Sequence, residues 1–168
     1  MEQSMLSTLY AYNAYANRHV LEIAGRLTDE EFTRRSSPSR ESVYILLRHL
    51  LASETFFLKH CQQRALPPQL DHLATLADLQ GYQQQLAEEQ STFIQTLTEA
   101  ELHCEIDFQI GLQPLHLPMW QLLVQAFVHS THHRGELSIV LSQLGQPLPT
   151  LDIILPLVKW SGQVWPGS

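Results

Sequence analysis

The stretch FVHSTHHRGEL, residues 127–137, sets His129, His132 and His133 inside a segment that otherwise reads as an apolar helix. On a helical wheel Met119, Leu122, Ala126, His129, His133, Leu137, Val140 and Leu144 form one continuous stripe, so the stripe is predicted to face a core and to carry two imidazoles inward. His132 lies one residue, about 100°, round from His133 and is expected at the stripe's edge. An unpartnered imidazole among leucines forfeits a hydrogen bond, at a cost of about 1–3 kcal/mol. Something must therefore satisfy the pair. Side chains at i and i+4 sit on adjacent turns about 6 Å apart, a spacing at which two rings can coordinate one ion.

Two histidines do not make a catalytic centre, and a third inward one lies upstream. In ILLRHLLASE, residues 45–54, His49 sits among Ile45, Leu46 and Leu50, again a basic ring in an aliphatic setting. The other histidines fit less well. His19 and His60 have polar neighbours near helix ends, His72 and His103 fall in connections, and His116 belongs to an alternating segment. A single core histidine is usually structural, but three inward ones, two at ligand spacing, point to a metal. H-x-x-x-H alone is a short pattern that matches by chance, and no H-E-x-x-H is present to support a metalloprotease.

The rest of the chain frames this site. Its 168 residues, 44% hydrophobic, suit one globular domain, residues 1–168, around a single core. The opening MEQSMLSTLY has neither the basic start nor the cleavage site of a secretory signal, and no apolar run nears the roughly 20 residues that span a bilayer. A soluble cytoplasmic protein without a membrane partner is expected. A formal net charge of −7 with ten scattered basic residues argues against nucleic acid. Cys61 and Cys104 are far apart and are expected to be buried free thiols.

Helical spacing recurs almost everywhere, which predicts an all-α four-helix bundle. A first helix is expected over 4–26, with Leu6, Leu9, Tyr10, Asn13, Asn17, Val20, Leu21 and Ala24 inward and Gly25 near its end. Thr28 and Glu31 read as a capping box. After RRSSPS, whose Pro38 and serines stop one element and cap the next, a second helix is expected over 41–63. ALPPQLDHLA reads as a surface loop because of its double proline. A third helix is expected from Thr75, capped against Asp78, to beyond Leu97, with its QQQLAEEQ portion as a solvated face. Alternation through Cys104, Ile106, Phe108 and Ile110, turning near Gly111, predicts a short hairpin before the fourth helix. That helix should open with Pro118 in its first position and end at Gly145, and the tail should form a short helix interrupted near Pro156 with a frayed end. Arg134 is expected to point away from the stripe and Glu136 to be exposed or to support a ligand. Gly135 either permits close helix approach or is merely tolerated, and Tyr10, Asn13 and Asn17 either line a pocket or pack with a hydrogen bond each.

RHLLASE, HSTHHRGEL and LGQPLPTLD in this order, with YNAYANRHVLEIAGRLTDEEF at the start, resemble the signature of the DinB-like (YfiT-like) family over nearly the whole chain. The resemblance implies a bundle with a long crossover, a divalent metal on three histidines and a homodimer. By position His49, His129 and His133 match the ligands, and His132 matches a frequent non-ligand histidine. Some relatives transfer low-molecular-weight thiols to electrophiles or use them in isomerisation.

Three neutral imidazoles leave at least one coordination position open, as catalytic sites do. A thiol there is deprotonated and water is polarised, so thiol S-transfer to a small electrophile and hydrolysis compete for one geometry. A non-catalytic metal-binding stress-response protein is the third reading. Nitrogen ligands favour zinc, nickel or iron over magnesium or calcium. The expected partner is a small-molecule substrate, with a low-molecular-weight thiol as the candidate.

Overall fold

The computed structural model describes residues 2–37, 39, 42–66 and 70–164. Among the described residues four long helices, α1 (Glu2–Ala24), α3 (Val43–Cys61), α4 (Leu76–Thr96) and α6 (Met119–Gln143), pack in a ring. Each touches two neighbours in the order α1, α4, α3, α6 and back to α1, so the ring order is not the chain order. The short helices α2 (Asp29–Thr33), α5 (Glu99–Leu102) and α7 (Ile154–Trp160) and one two-stranded hairpin complete the all-α fold.

The helix ends are fixed by local chemistry. Thr28 with Glu31 and Thr75 with Asp78 form the expected reciprocal capping boxes. A third box was not anticipated: Leu97 is extended, α4 stops at Thr96, and Thr98 with Glu101 opens α5. The T-E-A-E spacing carries that signal. The cap of α3 is Ser42, whose hydroxyl accepts from Ile45 N at 3.2 Å, rather than a serine of RRSSPS. Pro38 and the expected start at residue 41 lie outside the described residues. Gly145 ends α6 at φ +75, with Gln146 N donating to Leu141 O and Gly145 N to Ser142 O, the two bonds of a Schellman motif. Gly25, by contrast, keeps a negative φ; a Cβ there would meet Leu76 Cδ2 at 3.2 Å.

Strands β1 (Glu105–Ile110) and β2 (Gln113–Pro118) pair antiparallel, Ile106 opposite Leu117 and Phe108 opposite Leu115. Gly111, at φ +61, takes the first position of the two-residue turn. Ile106 and Phe108 point into the core, whereas Ile110 and Cys104 at the hairpin's ends are exposed, which corrects the expected burial of Cys104. Cys61 is buried, and burial pushes its thiol up to about 12. Pro118 closes β2 and precedes α6 rather than occupying its first turn. Pro156 sits within the first turn of α7, where no intrahelical N–H is lost, so it does not interrupt that helix. The expected frayed end, 165–168, and the double proline with Gln69, 67–69, lie outside the described residues. Beyond the prolines the chain is not a simple surface loop: Leu70 and Leu73 bracket a 3-10 turn and are buried in the core.

The interior is not one continuous apolar core. One cluster joins Val20 and Leu21 of α1, Leu50 and Leu51 of α3, Leu79 and Leu86 of α4, and Leu137 and Val140 of α6. The other joins Leu6 and Tyr10, Phe57 and Cys61, Ile94, and Leu122 and Ala126 with the hairpin. On every long helix a polar residue separates the two: Asn13 and Asn17 on α1, Glu54 on α3, Gln90 on α4, and Ser130, His133 and Arg134 on α6, all buried. Truncating a leucine such as Leu122 or Leu137 beside this layer would cost about 2–5 kcal/mol, the usual price of a core cavity.

Candidate metal centre

Helix α6 presents two adjacent faces to the interior. Because it packs against both α3 and α1, its buried arc is wider than the single stripe read from the sequence. His129 and His133 face α3; one residue further round, Ser130 reaches the buried Glu54 of α3 and Arg134 faces α1. This overturns the expectation that Arg134 points outward. Gly135 has no atom near a potential Cβ, so it serves no close helix approach.

His49, His129 and His133 meet across the α3–α6 seam, with one ligand atom from each lying within 4.8 Å of the others. His49 Nε2 and His129 Nε2 are 3.3 Å apart, and the ring centroids of His49 and His129 stand 4.5 and 4.7 Å from that of His133 in the order His129, His49. Two nitrogens bound to one tetrahedral ion at zinc–imidazole distances are separated by about 3.3 Å. The donor set therefore fits a transition metal in both chemistry and spacing. Ser53, one turn beyond His49, brings its Oγ to 3.1 Å from His129 Nε2. His132 is exposed, its ring 5.1 Å from that of His133 but outside the cluster. His19, His60, His72, His103 and His116 also lie outside the three-histidine group.

Glu136, one turn after His133, places Oε2 at 3.7 Å from His133 Nδ1. Ligating histidines commonly direct their second nitrogen at a carboxylate, which fixes ring orientation. The carboxylate is itself held by the loop before α3, accepting from the hydroxyls of Ser37 and Ser39 and from Ser39 N at 3.3 Å. Burial opposes its ionisation, but the serine hydrogen bonds and the nearby His133 outweigh that and keep the carboxyl below its usual range. Of the two readings of Glu136, the structure supports the one that places it behind a histidine. Sequence reasoning had no access to Ser37 and Ser39, which are distant in the chain.

Behind the histidines lies a second constellation that the sequence did not announce. Glu54 Oε1 accepts from Asn13 Nδ2 and Asn17 Nδ2, both at 2.8 Å, and from Ser130 Oγ at 2.6 Å. Its Oε2 accepts from Gln90 Nε2 at 2.9 Å. Arg134 Nη1 donates to Asn13 Oδ1 at 2.5 Å and Asn17 Oδ1 at 2.7 Å, and Nη2 donates to Thr131 Oγ1 at 2.9 Å. Burial lowers the Arg134 pKa, and Glu54 opposes that shift. Asn13 and Asn17 are thus bridges between buried opposite charges. Tyr10 is a packed residue whose hydroxyl donates to Leu123 O at 2.9 Å. Gln83 and Gln90, the ends of QQQLAEEQ, are buried rather than solvated. Their spacing with Leu79, Leu86 and Ile94 was the signal.

Comparisons with known proteins bear on the fold and the family. A DinB-like protein from Bacillus subtilis superimposes with a TM-score of 0.65 at 21% identity, covering 86% of this chain and 96% of its own. A putative DinB-family member from Exiguobacterium sibiricum gives 0.62 at 18% identity, covering 90% and 97%. Both likenesses concern the fold. No curated protein sequence matches the chain. The DinB family matches residues 1–159, and with that extent of agreement the chain belongs to the DinB family.

Proposed function

We propose that His49, His129 and His133 hold one divalent transition metal, zinc, nickel or iron, and that the protein is a metal-dependent transferase of a low-molecular-weight thiol to a small electrophile. The observation that supports it is the donor set: three imidazoles at ligand spacing and, among the described residues, no carboxylate or thiolate in the same group. Three protein ligands leave a fourth position for a small molecule. When bound, the metal supplies Lewis-acid polarisation that lets a thiol act as nucleophile at neutral pH. The chain's own residues then divide the work. Glu136 orients His133; Ser53, whose hydroxyl reaches the ligand side of His129, is placed to hydrogen-bond a group entering beside that ring.

The test is a panel of small thiols with a generic electrophile, run with the metal-loaded protein and with His129→Ala. Metal-dependent consumption of one thiol supports transfer; consumption of an ester or amide without thiol would favour hydrolysis. No helix among the described residues is long and apolar enough to cross a membrane. The proposal includes a homodimer, because Val128 and Ile139 stand exposed on the outer face of α6 at 53% and 62%. Sedimentation at micromolar concentration showing only a 19.2 kDa species would remove it.

A further inference from the structure

The buried charges next to the histidines require an account of their own. Glu54 and Arg134 are almost fully enclosed between two leucine-rich clusters, where apolar side chains of similar size are often the more stable choice. What such groups can supply instead is a unique register. Here the register concerns the ligands. Ser130 follows His129 in the chain, Arg134 follows His133, and Glu54 follows Ser53, which contacts His129.

The network also has a direction. Each asparagine gives its amide N–H to Glu54 and accepts from Arg134 through its carbonyl oxygen. Turning α6 by one residue would bring Thr131 and Gly135 into the layer in place of Ser130 and Arg134: Arg134 would leave both asparagines, and Glu54 would lose the Ser130 hydroxyl. α4 enters through Gln90, so all four long helices meet at this layer.

We infer that Glu54 and Arg134 are positioning residues: through Asn13, Asn17 and Ser130 they fix the rotation of α6 against α1 and α3, and so hold His129 and His133 in register with His49. The arrangement acts in the metal-free protein and uses no proton transfer. Its consequence for metal affinity rests on the metal reading above, whereas its consequence for ring geometry does not.

The deciding comparison uses the full chain with Glu54→Gln combined with Arg134→Met, which neutralises both charges together, and separately the conservative Arg134→Lys, which keeps the charge but loses the fork that reaches both asparagines and Thr131. Histidine-labelled, metal-free protein is examined by NMR for the His49–His129 ring contact, then titrated with cobalt(II) and followed by its visible spectrum. The double variant should remain folded yet lose the ring contact, bind cobalt about 10–100-fold more weakly and show an altered cobalt band. Arg134→Lys should weaken both signals in the same direction. Wild-type ring contact and cobalt band in a folded variant of either kind would overturn the proposal, as would absence of the ring contact in metal-free wild type. If wild type shows the contact but takes up no cobalt, the metal reading fails and the variants' ring contacts still decide the positioning role.

Discussion

The two halves of the polar layer differ in how they are balanced. On the α1 side, opposite charges are matched through two asparagines, and the network is complete within the chain. On the α3 side, three like bases bring their ligand atoms within 4.8 Å of one another with, among the described residues, no acid in the group. Like bases brought together favour a cation between them; matched charges favour nothing further. The same helix therefore carries a finished scaffold on one face and a receptive site on the next, and the boundary between them is a single residue step, from His129 to Ser130 and from His133 to Arg134.

Breaking the finished half should have the largest effect on folding. Glu54→Ala leaves Arg134 buried without its counter-charge and should cost about 3–5 kcal/mol in urea denaturation. A loss below about 1 kcal/mol would mean that water reaches the network. Disturbing the receptive half from behind should act on metal more than on folding. Glu136→Ala removes the carboxylate that faces His133, and metal affinity measured by competition with a chelator should fall about 10–100-fold. An unchanged affinity would show that the contact does not orient the ring.

A smaller effect separates two kinds of surface device from the interior. Thr75→Ala, which removes one capping box, should cost about 1 kcal/mol and leave metal binding unchanged. The carboxyls of Glu31, Asp78 and Glu101 are lowered by their capping hydrogen bonds, first to backbone or hydroxyl of the cap threonine. Glu136 is lowered too, against the effect of burial. A depressed folded pKa means that the stabilisation is fully present above the ordinary carboxyl values of about 4. It is lost as pH falls through the lower folded values. Stability should thus decline below about pH 4, and Glu136→Gln should flatten part of that slope in thermal melts recorded across acid pH. An unaltered slope would show that Glu136 does not contribute to it.

Much of this architecture is written in short-range patterns. The periodicity of α1, α3, α4 and α6, the boxes at Thr28 and Thr75, the alternation through Ile106 and Phe108, and the glycine after α6 each follow from neighbours within four residues or so. The histidine trio was legible because an imidazole on an apolar stripe is conspicuous. The Glu54–Arg134 network was not, since a charged residue one step off the stripe looks like solvent-facing surface until the second neighbouring helix is placed. Glu136 remained ambiguous for the same reason: its serine partners lie 99 and 97 residues away along the chain. The layer between two apolar clusters is a tertiary fact, visible only when Asn13, Glu54, Gln90 and Arg134 are seen at one height.

The most direct test of the central claim is the metal content of purified protein by elemental analysis, with wild type compared with His49→Ala, His129→Ala, His133→Ala and His132→Ala. The account predicts close to one transition-metal ion per chain in wild type and in His132→Ala, and loss of most of it in the other three. Equal loss from His132→Ala and His133→Ala, or retention in His49→Ala, would contradict a site built across the α3–α6 seam.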